Sequence, residues 1–140
     1  MKEHQNLFRD LQEDFRKMKK NLLVAQSGGP TAAINATLAG VIKQAIKEEQ
    51  IDQVYGACYG IQGVLEQKFV NLTEKVDTEE KLEKLKRTPA AALGSCRFKL
   101  NDIKEDDSQY QEIVDILHKM NIGYFVYIGG NDSMEAFCIL

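Results

Sequence analysis

Two short stretches of the chain carry residue types suited to holding a phosphate. In S-G-G-P, residues 27–30, Gly28 and Gly29 remove the Cβ atoms that would keep an anion from the main chain. A helix starting there would aim free N–H groups and its positive dipole end at the same point. G-G-N-D-S, residues 129–133, repeats the device through Gly130. It adds Asn131, Asp132 and Ser133, which can ligate Mg²⁺ directly or through water and hydrogen-bond phosphate oxygens. Between them, Arg97 in G-S-C-R-F offers a guanidinium that can neutralise a polyphosphate through paired hydrogen bonds. Each feature also has an ordinary counterpart: a turn needing positive φ, a capped helix start, a surface ion pair. Two such turns in one chain weigh toward phosphate.

The elements around these stretches follow from hydrophobic period. N-L-L-V-A-Q at 21–26 is a short apolar run ending in the first glycine turn, as a buried strand should. Ile34, Leu38, Val41, Ile42, Ala45 and Ile46 then recur at helical spacing, with Pro30 and Thr31 suited to the first turn. A second strand is expected at 53–59, broken by Gly60 and Gly63, and a short one at 68–72. Asp77 with Glu80 resembles a capping box opening a charged helix that Thr88 and Pro89 end. The run from Ala90 breaks at Gly94 and reads as a strand end just before Arg97. Tyr110, Ile113, Val114, Leu117 and Met120 mark another helix, stopped by Asn121 and Gly123. Y-F-V-Y-I at 124–128 is the most strand-like stretch, and it leads straight into the second glycine turn and a new helix.

Strand, glycine turn and helix therefore occur twice. The expected fold is α/β, a mostly parallel Rossmann-like sheet flanked by helices, with both glycine turns at the carboxyl edge where open sheets bind ligands. Residues 1–20 form a separate amphipathic helix, with Leu7, Leu11, Phe15 and Met18 on one stripe. It packs on the domain or on another subunit, or serves as an ordered leader.

Composition narrows the function classes. A length of 140 residues allows one domain or part of one, and a net charge of −3 leaves no electrostatic footprint for nucleic acid or an anionic membrane. Cys58, Cys96 and Cys138 lack paired zinc spacing, and His4 and His118 stand alone, so these thiols read as structural. Neither a membrane span nor a signal peptide is evident, which makes the cytoplasm the expected compartment. S-G-G-P also lacks the G-x-G-x-x-G of a dinucleotide-binding turn.

Four blocks in order, S-G-G-P-T-A-A-I-N-A, Y-G-I-Q-G-V-L, T-P-A-A-A-L-G-S-C-R-F-K-L and Y-I-G-G-N-D-S-M, closely resemble the donor-binding region of the phosphofructokinases. The similarity runs over about residues 21–140 and implies part of a phosphofructokinase donor-binding domain. It implies phosphoryl transfer to the 1-hydroxyl of fructose 6-phosphate, giving fructose 1,6-bisphosphate in glycolysis. By position, Gly28 and Gly29 resemble the family's donor-phosphate turn, and Arg97 its donor arginine. Gly130, Asn131, Asp132 and Ser133 resemble the loop holding donor and Mg²⁺, and Tyr59 falls beside the nucleotide position. Asn131 stands where many members carry an aspartate at the metal, so it offers an oxygen but less charge.

The resemblance also bears on the donor. Members that use ATP typically have glycine at the position of Asp132, which leaves room for the α-phosphate. A carboxylate there fills the space and repels the anion, so the implied donor is pyrophosphate. The family's catalytic base lies in a T-I-D-x-D segment following the second turn's helix, and no such segment occurs here. The chain is thus expected to be a truncated amino-terminal piece, inactive by itself, of an enzyme that the resemblance makes a homo-oligomer. Two alternatives stand beside this reading: an ATP-dependent 6-phosphofructokinase, and a non-catalytic phosphate or nucleotide-binding module.

Overall fold

The computed structural model describes residues 2–17, 19–26, 32–88, 91–94 and 107–129. In chain order these form α1 (Lys2–Lys17), β1 (Lys20–Gln26), α2 (Ala32–Lys47), β2 (Ile51–Ala57), α3 (Gly60–Leu65), β3 (Phe69–Asn71), α4 (Leu72–Lys75), α5 (Glu79–Arg87), α6 (Ser108–Lys119) and β4 (Ile122–Ile128).

The run Leu22–Ala25 is buried throughout because β1 lies inside the sheet with helices on both faces. The sheet order is β3-β2-β1-β4. β1 pairs in parallel with both β2 and β4, while β3 pairs antiparallel with β2. Alternation along β1 divides its side chains between two cores. Leu22 and Val24 pack with Leu38, Ala39, Ile42 and Ala45 of α2 and with Leu72, Leu82 and Leu93. Leu23 and Ala25 face the other way, among Ala57, Ile61, Val64, Ile113 and Ile116. The expected fold class is therefore what the described residues form: four mostly parallel strands flanked by helices.

Several local expectations need correction. The glycines at 60 and 63 do not end structure but start α3. Tyr59 is left-handed at φ 64 and so is Gly60, which turns the chain from β2 into the helix. Gly63 lets that helix lie directly on the Cys58 carbonyl, where a Cβ would fall far inside contact distance. The cap of α5 is Thr78, whose hydroxyl accepts from the Lys81 N–H, while Asp77 instead pairs with the Lys81 ammonium at 2.8 Å. Residues 91–94 are a turn rather than a strand end, closed by the Gly94 N–H donating to the Ala91 carbonyl at 3.0 Å.

Asn121, at φ 56, is the residue that stops α6. Gly123 belongs to β4, where its missing side chain admits Lys20: a Cβ would come within 2.5 Å of the Lys20 Cβ. Ile46, expected on the buried face of α2, is 49% exposed, in the last turn of that helix. Leu7, Phe8 and Leu11 of α1 are exposed in the single chain.

Candidate functional site

The carboxyl ends of three parallel strands define the site, and register fixes how they meet. Gln26 pairs with Ile128 and Ala25 with Ala57, so β4, β1 and β2 stop at one level, neighbours being about 4.8 Å apart. From β1 the chain passes by way of α2 to β2 on one side; from the β3 side it returns by way of α6 to β4 on the other. The β1/β4 boundary is thus a topological switch point, where open α/β sheets leave a crevice for ligands. Residues 27–30 begin immediately after Gln26, and 129–133 immediately after Ile128. The two glycine-bearing segments leave the sheet from adjacent strand ends.

Gly28, Gly29, Arg97, Gly130, Asn131, Asp132 and Ser133 themselves lie outside the described residues. What the structure describes is the frame from which they depart. Tyr59, also expected here, is described: the residue is 56% exposed, two positions past the end of β2, and its ring lies against Gly94. Gly94 has φ +77, and a Cβ on it would come within 2.7 Å of the Tyr59 Cδ1. Gly60 sits against the end of β1, with space for a Cβ limited by the Gln26 carbonyl oxygen at 3.1 Å and the Tyr127 hydroxyl at 3.7 Å.

Two buried carboxamides knit this frame, and neither stands out in the sequence as a site residue. Gln26 and Asn35 are both fully buried. The Gln26 Nε2 donates to the Ile34 carbonyl and to the Asn35 Oδ1, each at 3.3 Å, and its Oε1 accepts the Leu93 N–H at 2.9 Å. The Asn35 Oδ1 also accepts the Ala92 N–H at 2.9 Å, and its Nδ2 donates to the Thr88 carbonyl at 2.6 Å. The Leu93 carbonyl in turn accepts the Tyr59 N–H at 2.8 Å. Among the described residues no buried side-chain polar atom lacks a partner, as a low-dielectric site requires. The available sequence signals were weak: a polar residue closing an apolar strand, and an asparagine, a poor helix former, beside Ile34.

Electrostatics near Tyr59 come from a surface pair. The Lys68 ammonium lies 2.9 Å from Glu66. Its hydrogen bond, helped by Gln62, lowers the Glu66 carboxyl below its usual value, and Glu66 correspondingly raises Lys68. Both groups are solvent-exposed, so the pair is an ordinary surface ion pair and not a tuned acid or base. Among the described residues no group of three His, Cys, Asp or Glu could hold a metal ion, and no helix is long and apolar enough to cross a membrane.

Comparison with known proteins adds to this geometry. The family model described as Phosphofructokinase matches residues 21–140. The chain is 42% identical over 118 residues to a Rhodospirillum rubrum protein named pyrophosphate–fructose 6-phosphate 1-phosphotransferase, covering 84% of this chain and 28% of that protein. It is 31% identical over 116 residues to an ATP-dependent 6-phosphofructokinase of Histophilus somni, covering 83% and 33% respectively. The crystal structure of a pyrophosphate-dependent phosphofructokinase from Nitrosospira multiformis superposes with a TM-score of 0.74 at 37% identity, covering 83% of this chain and 28% of that one. The chain thus spans no more than about a third of the length of these proteins.

Proposed function

This chain belongs to the phosphofructokinase family, and we propose that it forms the donor side of an enzyme transferring a phosphoryl group from pyrophosphate to the 1-hydroxyl of fructose 6-phosphate. The observation that carries this reading is the pairing of Gln26 with Ile128. It starts the segments bearing Gly28 and Gly29 and bearing Gly130 to Ser133 side by side at a sheet switch point. Phosphoryl transfer depends mainly on positioning the donor and neutralising its oxygens. On this reading the two glycine turns bring main-chain N–H groups to the phosphates, and Arg97 supplies the countercharge.

The acceptor hydroxyl must also lose a proton to a base. The family's T-I-D-x-D segment does not occur within these 140 residues, so the activity is proposed for the whole protein, as are its homo-oligomeric state and cytoplasmic place of work. Mg²⁺ is the ion such chemistry uses to draw charge from the transferring phosphoryl oxygens. The hard oxygens of Asn131, Asp132 and Ser133 suit it, and because Mg²⁺ is commonly held partly by substrate phosphates, the lack of a carboxylate cluster among the described residues does not conflict with that assignment. Asn131 would contribute one neutral oxygen.

Support for pyrophosphate comes from the carboxylate of Asp132 and from the names of the more similar relatives. The exposed Tyr59 ring favours a second reading, in which an adenine stacks on it and ATP is the donor. The two are separated by assaying the full-length protein with fructose 6-phosphate and Mg²⁺ and either donor, following fructose 1,6-bisphosphate. Product from pyrophosphate with little from ATP is expected. The reverse preference overturns the donor assignment, and binding of either without turnover makes the protein a phosphate-binding module.

A further inference from the structure

The strongest unassigned feature is the Gln26–Asn35 pair. Burying two carboxamides at the end of an apolar strand and in the first turn of a helix is costly unless every polar atom finds a partner. The partners here are specific: successive main-chain N–H groups, Ala92 and Leu93, are each taken by one amide oxygen. That turn makes no sheet pairing that would otherwise satisfy them. Leu93 is fixed further by its carbonyl, which accepts from Tyr59, and by its side chain, which is buried over Gly56. The residue that follows is Gly94, and Arg97 is three positions beyond it. On the other side of the pair, Gln26 directly precedes the turn bearing Gly28 and Gly29, and Asn35 lies in the first turn of the helix that follows.

The geometry points to Gln26 and Asn35 as positioning residues for the phosphoryl donor. They tie the 91–94 turn, which precedes Arg97 by three residues in sequence, to the end of β1 just before the first glycine segment and to the first turn of α2 just after it. This rests on the donor-side reading above and extends it to two residues that need not touch the donor. Their effect passes through the strand end and turn from which two donor-side segments continue, so it falls on donor binding and not on fructose 6-phosphate. It is also lost where Arg97 is already missing.

The test uses the full-length protein with Gln26→Leu, Arg97→Ala and the double variant. Asn35→Ser is the neutral second variant, removing the amide that serves Ala92, Gln26 and Thr88 without burying a charge. Donor affinity is read both by turnover and by calorimetric binding of pyrophosphate and, separately, of ATP with Mg²⁺. Each single variant at 26 or 35 is expected to weaken the donor about tenfold, as ~1.4 kcal/mol of lost buried hydrogen bonding would. The KM for fructose 6-phosphate should stay within about twofold, and Gln26→Leu should add little once Arg97 is alanine. Equal losses toward both substrates, full additivity with Arg97→Ala, or unchanged donor affinity overturns the positioning role. If Gln26→Leu fails to fold, Asn35→Ser decides by the same criteria. An unmodified protein that binds phosphate without turnover defeats the proposed reaction but leaves the binding comparison to judge the pair.

Discussion

Gly63→Ala and Gly40→Ala introduce the same methyl group into two helices and are expected to act in opposite directions. Gly40 lies in α2, exposed, with nothing within 4 Å of an added Cβ. Replacing a helix-interior glycine there should stabilise by about 0.5–1 kcal/mol through lower unfolded-chain entropy. Gly63 is buried in α3. A Cβ on it would lie 2.7 Å from the Cys58 carbonyl carbon and closer still to its oxygen, inside the 3.0 Å that Cβ atoms keep from other heavy atoms. The obstruction is backbone at both ends, so no side chain can rotate away. Cys58 is itself held by donating its N–H to the Lys68 carbonyl at 2.9 Å, and Lys68 donates to the Gly63 carbonyl at 2.8 Å. The start of α3 must therefore move, at a cost at or above the upper end of the ~1–3 kcal/mol typical of overpacking. Urea unfolding followed by circular dichroism gives both signs, and hydrogen exchange over residues 51–68 locates the second. A Gly63→Ala protein within about 0.5 kcal/mol of the parent would refute the close-approach argument, that being the range of a neutral surface change.

Three further outcomes are expected, the first two from the structure and the third from the donor reading. Thr78→Ala should destabilise α5 by about 1 kcal/mol and Asp77→Ala by clearly less, because Thr78 caps the Lys81 N–H while Asp77 contributes a solvent-exposed ion pair; paired urea melts check this. Lys68→Met should raise the Glu66 pKa toward its ordinary value, as followed by carboxyl NMR titration. Since the folded-state pKa of Glu66 is lowered, its small contribution to stability is present above the unfolded-state pKa and lost as pH falls through the folded one, and salt should weaken it. Asp132→Gly in the full-length protein should raise kcat/KM with ATP relative to pyrophosphate; an unchanged ratio would remove Asp132 from donor choice.

What the sequence determined by itself was local. The apolar run at 21–26, the helical period from Ile34 to Ala45 and the β-rich 124–128 stretch each placed an element, because hydrophobic period follows directly from backbone geometry. The glycine turns were visible for the same reason, as residue types at strand ends. Corrections arose wherever a distant partner decided the outcome. Gly123 reads as a helix stop until Lys20 is beside it, and Gly63 reads as a breaker until the Cys58 carbonyl lies against it. Only the tertiary structure decided that β4 lies next to β1, which turns two glycine motifs a hundred residues apart in the chain into neighbours at one edge. It also decided that Gln26 holds a main-chain N–H 67 residues away. A buried amide has no periodic signature, since its partners are set by which loops the packed sheet brings within hydrogen-bond reach.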